Sequence, residues 1–264
     1  MIQRRTLLKS TAAVAPMASP VRSPQAGGAA PMAPTASRDR RSLALSARHE
    51  RLDRGRDPWR SLRLDALMLP AGRTGGYGAL VAEERFGLRD AGLEAGIVVP
   101  LGRGWTMQPE VGLVADADFL PRHYLDLRLQ RVLEGGWIGT ASLRHSAYRD
   151  VDVQRLALGV ERYAGAWRAA YTLNLTRLAG DESVGHDLRL ARAYGERSEV
   201  GLQVGFGREA ALIGPQVVAS DVRATVLFGR HAVGAWALLW NVGRVRQGVL
   251  YTREGLGLGL ERRF

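Results

Sequence analysis

No cysteine occurs anywhere in the 264 residues. That absence excludes disulfides, thiolate metal sites, thiol nucleophiles and an acylated lipoprotein cysteine. Lysine is almost as scarce: Lys9 stands alone, and every other basic residue is arginine. No window approaches eighteen consecutive apolar residues, which excludes a spanning helix. Apolar stripes of helical period are also hard to find. The histidines are few (His49, His123, His145, His186 and His231), and none has zinc-ligand spacing. The sequence therefore predicts no metal site and no cofactor.

The chain is basic, with 37 Lys and Arg against 26 Asp and Glu, but the excess is unevenly placed. Residues 1–41 carry seven of the cations and one acid, while the rest of the chain intersperses arginine with Asp and Glu. A nucleic-acid binder needs cations clustered in its folded part, so no nucleic-acid partner is expected. The first 41 residues read as an export leader or a disordered N-terminal segment. They open with a charged start, pass through a short apolar run from Thr11 to Met17, and are rich in Ala, Pro and Ser. Arg4 to Lys9 also resembles a twin-arginine signal.

From residue 42 to 264 a two-residue alternation runs almost without break, and that is the strand period. Val200, Leu202, Val204 and Phe206 alternate with Glu199, Gly201, Gln203 and Gly205. Leu256, Leu258, Leu260 and Phe264 share a face opposite Gly255, Gly257, Gly259 and Arg263. About fourteen strands are expected, within a range of twelve to sixteen. They fall at 42–52, 58–69, 76–86, 91–99, 104–115, 122–133, 136–147, 151–163, 165–177, 184–194, 198–207, 217–228, 232–242 and 249–264. Several run longer than soluble sheets use, and match the roughly 9–11 residues a tilted strand needs to cross a bilayer. The predicted architecture is all-β, an antiparallel transmembrane barrel occupying residues 42–264. Short turns near 100–104, 134–136, 164–165 and 229–231 should alternate with longer loops at 179–185, 208–216 and 241–248. Trp105, Trp137, Trp167 and Trp236 each follow a short turn, which predicts an indole ring at one membrane interface.

A membrane barrel points apolar residues outward, so its charged phase faces the lumen. The expected lumen lining is Arg48, Glu50, Arg63, Asp65, Glu83, Arg85, Asp126, Arg128, Arg144, Arg155, Glu161, Arg168 and Arg223. Mixed signs allow two readings: ion-pair ladders that fill the lumen, or a pore for a polar or anionic solute. Catalysis is not expected. His145 and Ser146 are adjacent on a strand and must point to opposite faces, so they cannot form a nucleophile–base pair. The glycine run 255–259 lacks the Lys-Ser/Thr of a phosphate loop and reads as a stripe that lets a strand bend.

Residues 43–53 (LALSARHERLD), Arg56 to Trp59, Glu84 to Gly87 and Val160 to Trp167 resemble the YaiO-type outer-membrane β-barrel family. The terminal Phe264 agrees. The resemblance implies export to the outer membrane of a Gram-negative bacterium, and a transport or export role that touches surface polysaccharide in some relatives. It supplies no catalytic set. Outer-membrane lipid, the barrel-assembly machinery, and polysaccharide or export-complex proteins are the implied partners. Leu256, Leu258, Leu260 and Phe264 form the expected barrel-insertion signal. The alternatives to transport are a structural barrel with a charge-filled lumen and no flux, and an outer-membrane lipid-modifying hydrolase.

Overall fold

A computed structural model describes residues 39–264 apart from 196, 214 and 215, with backbone only over 209–219. Fourteen antiparallel strands close into one barrel, each paired with its neighbours in sequence. They are β1 (Arg40–Leu52), β2 (Trp59–Leu69), β3 (Gly75–Arg85), β4 (Leu88–Gly102), β5 (Trp105–Ala115), β6 (His123–Val132) and β7 (Trp137–Ala147). They continue as β8 (Asp152–Ala164), β9 (Trp167–Leu178), β10 (Asp181–Ala193), β11 (Glu199–Ile213), β12 (Gln216–Val233), β13 (Trp236–Gln247) and β14 (Tyr251–Arg263). β1 closes on β14 in continuous register from Ser42 opposite Arg263 to Leu52 opposite Arg253. Closure leaves no unpaired strand edge, which is the condition for a sheet to sit in lipid.

Alternation sorts the side chains. Every strand shows large apolar residues to the outside, among them Leu45, Leu62, Leu80, Leu93, Leu125, Leu143, Leu188, Leu238 and Leu258, all 46–59% exposed. A contiguous apolar belt of this extent is incompatible with water and fits a hydrocarbon layer. Among the described residues no helix is long and apolar enough to cross a membrane; the crossing is made by strands. Arg40 and Phe264 lie at one end of the barrel, here called the near rim; the other end is the far rim. Trp105, Trp137, Trp167 and Trp236 each open a strand at the near rim, so the expected indole ring is present.

The turns depart from the expected pattern. Near-rim connections span two to five residues and far-rim connections two to seven, so short and long do not alternate. The expected loop 179–185 shrinks to Ala179-Gly180, with φ of +47° and +94°. Two successive residues in the left-handed region make a type I′ turn, which suits hairpin twist, and Phe86-Gly87 and Arg103-Gly104 do the same. Residues 229–231 are not a turn but the interior of β12; the chain reverses at Gly234-Ala235. Most of the expected loop 241–248 likewise belongs to β13. In each case polar residues at a strand end, on the wet side of the apolar belt, read as loop. The expected leader, residues 1–41, lies outside the described residues over 1–38, and Arg40 and Arg41 already belong to β1.

Candidate functional site

The inward faces build a lumen with two unlike halves. From the near rim to about mid-barrel it holds a cavity of about 570 Å³, lined by residues of both signs. Arg63 bridges Asp65 and Glu94, each at 2.7 Å. Glu110 accepts hydrogen bonds from the hydroxyls of Tyr77 and Tyr124, both at 2.8 Å. Asp126 accepts from Ser142 at 3.1 Å and faces Arg155 at 4.0 Å. Glu199 accepts from Arg168 at 3.0 Å and Arg189 at 3.4 Å, and the Arg189 guanidinium lies 4.1 Å from the Phe228 ring centre. At the near mouth Arg40, Arg197, Arg230 and Arg263 line the cavity with Glu261, which pairs with Arg230 at 3.1 Å and Arg263 at 2.9 Å. The near mouth is therefore basic among its described residues.

Glycines make room for these groups. A Cβ on Gly112 would stand 2.0 Å from the Tyr124 ring, and one on Gly96 2.4 Å from Tyr77. Each tyrosine lies flat across a neighbouring strand because no side chain occupies that spot. The stripe Gly255, Gly257 and Gly259 works the same way, clearing space for Glu50, Asn241 and Ser46.

The far half is packed. Trp59, Phe86 and Tyr251 meet edge to face, with ring centres 5.4, 5.8 and 6.4 Å apart, over Leu52. Arg85 lies between the Trp59 and Phe119 rings, at 4.8 and 5.2 Å, and Arg253 covers Trp59 at 4.6 Å. Phe119 belongs to the far-rim loop 116–122, which turns inward. Asp90 holds it there: its carboxylate accepts the backbone N–H groups of Asp118, Phe119 and Leu120 at 3.0, 3.0 and 2.7 Å. Trp59 and Phe119 are each only 3% exposed although both face a lumen. Beside them Glu50 pairs with Arg48 at 2.8 Å and Arg253 at 3.1 Å. None of these plug residues lines the cavity below.

The structure places Arg48, Glu50, Arg63, Asp65, Glu83, Arg85, Asp126, Arg128, Arg144, Arg155, Glu161 and Arg168 on inward faces. They do not form one site: Arg48, Glu50, Glu83 and Arg85 belong to the far-rim plug, and Arg63, Asp65, Arg128, Arg155 and Glu161 to the cavity. Arg223 is a correction. It is exposed on the outer face, because the inward face of β12 is itself apolar: Val222, Ala224 and Val226 pack with Val245 inside the barrel. Apolar-outward phasing reverses a strand of this kind. Leu256, Leu258 and Leu260 face outward on β14, and Phe264 follows, its N–H bonded to the Arg41 carbonyl at 3.1 Å. Asp90, Glu94, Glu110, Asp187, Arg189, Glu199, Arg230 and Glu261 were missed. Arg189 sits between outward Leu188 and Leu190, and Asp187 between outward His186 and Leu188, so the same alternation marked them; Asp90 was hidden because residues 87–90 read as a turn.

His145 points outward and exposed while Ser146 is buried inside, as alternation requires. His186 is also outward, accepting or donating at Nδ1 to the Tyr171 hydroxyl at 2.8 Å and stacked on Phe206. Among the described residues no group of three metal-binding side chains gathers.

A profile of the YaiO membrane beta barrel domain matches residues 40–212. This chain belongs to that family. The barrel itself runs on to Arg263, so the last strands extend beyond the matched part. Among curated proteins none matches the chain in sequence. Solved structures share the fold at low identity. An outer membrane channel from Pseudomonas putida F1 is 13% identical with a TM-score of 0.58, covering 86% of this chain and 96% of that one. A bacterial polysaccharide outer membrane secretin is 9% identical with a TM-score of 0.56, over 85% of this chain and 98% of the other. Omp33 of Acinetobacter baumannii is 10% identical with a TM-score of 0.52, over 85% and 99%. The protein is thus a membrane β-barrel that resembles bacterial outer-membrane proteins.

Proposed function

We propose that this YaiO-family barrel works in the outer membrane of a Gram-negative bacterium as a channel kept shut at its far mouth, and not as an enzyme. The observation that carries this reading is the division of the lumen. A polar cavity of about 570 Å³ reaches the near rim, while the far half is filled by Trp59, Phe119, Tyr251 and their arginines. The near mouth is basic and the lining offers Tyr, Asn, Gln and Ser groups, which suits a polar, anionic solute. Acidic glycan chains have that chemistry, and the polysaccharide secretin shares the fold. Residues 1–38 serve as the export leader in this reading, and the outward leucines of β14 with Phe264 as the mark read by the assembly machinery.

A plug hung on one carboxylate can be released. Asp90→Ala removes the acceptor of three backbone N–H groups and frees loop 116–122. In planar bilayers the wild-type protein should show rare, brief openings, and the variant a steady conductance. The second reading, a structural barrel without flux, is favoured by the linked ion pairs of Arg63 and Glu199, which cross the lumen wall from strand to strand. It predicts no conductance from either protein.

A further inference from the structure

The outer face of the near rim carries a motif that repeats four times. Trp105 on β5 stands directly opposite Arg131 on β6, Trp137 on β7 opposite Arg162 on β8, Trp167 on β9 opposite Arg192 on β10, and Trp236 on β13 opposite Arg262 on β14. In each pair the guanidinium carbon lies over the indole, at 5.2, 5.0, 5.6 and 5.3 Å from the ring centre. All eight side chains are exposed. An indole at a membrane interface needs no guanidinium, and four arginines in one register go beyond an aromatic ring.

The two rims treat charge differently. On the outer face of the far rim several arginines have carboxylate partners, Arg60 and Arg89 with Glu84 at 3.7 and 3.5 Å and Arg244 with Glu254 at 3.5 Å, while Arg223 stands opposite Arg246. The outward strand positions of the near rim hold Arg41, Arg131, Arg162, Arg192 and Arg262, and among the described residues no Asp or Glu. The nearby carboxylates Glu199 and Glu261 face the lumen, where they are engaged by Arg168 and Arg230. Exposed cations just outside an apolar belt, with no acid at the outward strand positions beside them, lie at headgroup depth; the exposed acids Asp39 and Glu134 sit outside the strands, before β1 and in the β6–β7 turn.

We propose that each Trp–Arg pair is a seat for the phosphate of an anionic phospholipid, so that the near rim carries a ring of four lipid sites. The guanidinium offers its donor fork to the phosphate while the indole fixes the guanidinium plane and itself anchors at the interface. A net negative headgroup is preferred over a zwitterionic one, whose ammonium repels the arginine. This rests on the membrane-barrel assignment but not on the channel reading.

Native mass spectrometry of the full-length barrel, released from vesicles of equal phosphatidylglycerol and phosphatidylcholine, tests it. The wild type should retain up to four lipids, with phosphatidylglycerol favoured about fivefold at each seat. Arg162→Gln should lose one retained lipid, and the four-site Arg→Gln variant should lose the preference. If the four-site variant fails to fold, Arg162→Gln alone decides the matter by the change in count. Equal retention of the two lipids by the wild type, or an unchanged count in Arg162→Gln, would overturn the proposal. So would displacement of the lipids by millimolar inorganic phosphate, which would mean a site for free anions.

Discussion

Glu110 accepts two tyrosine hydroxyls, one from each side of its own strand. Hydrogen bonds to a charged acceptor contribute about 1.5–3 kcal/mol each, and a buried donor left without its partner costs a comparable amount. Glu110→Ala should therefore lower the temperature at which the folded barrel unfolds in detergent, read as the shift in gel migration on heating. Glu110→Gln, which keeps an acceptor, should fall between it and the wild type. Gly112→Ala probes the same clamp from the backbone. Its new Cβ would stand 2.0 Å from Tyr124, so the ring must swing away and release Glu110, at a cost of about 1–3 kcal/mol. Gly139→Ala on an outer face meets nothing within 4 Å and should leave the unfolding temperature nearly unchanged.

At the scale of the strand, side-chain face decides what a charge costs. Leu158 sits midway along β8, outward and 43% exposed. Leu158→Arg puts a cation at the membrane midplane and should destabilise the barrel by about 2–4 kcal/mol. Arg223→Leu should be almost silent in the same denaturation measurement, because Arg223 already lies outside the lumen. Arg223→Leu tests the inverted strand β12, and Leu158→Arg is its counterpart on a strand of ordinary phase. Most of the fold was legible because the two-residue period survives in a barrel wet on one side and apolar on the other: fourteen strands, the near-rim tryptophans and twelve inward charges follow from it. β12 was not, since its inward face packs Val222, Ala224 and Val226 instead of polar groups. The Ala179-Gly180 turn was not, since Ala at a left-handed position carries no signature and the polar residues after it look like loop. The plug was the least visible part. Asp90 and Phe119 meet only through the closed tertiary structure, 29 residues apart in sequence.

For the whole molecule, the account turns on a lumen open at the near rim and shut at the far rim. The absence of cysteine makes this directly measurable, because a single introduced thiol has no background. Thr140→Cys places that thiol in the cavity wall on β7, and Asp150→Cys places one in the far-rim loop 148–151 as an accessible control. Intact cells are treated with a membrane-impermeant maleimide, then treated again after the outer membrane is permeabilised. The proposed channel has its far rim at the cell surface and its near rim at the periplasm, so the account predicts that Asp150→Cys reacts at once in both, while Thr140→Cys reacts only after permeabilisation. In the Asp90→Ala background Thr140→Cys should react in intact cells too. Equal, rapid labelling of Thr140→Cys in intact cells with Asp90 in place would contradict a far mouth closed by the Trp59–Phe119 plug.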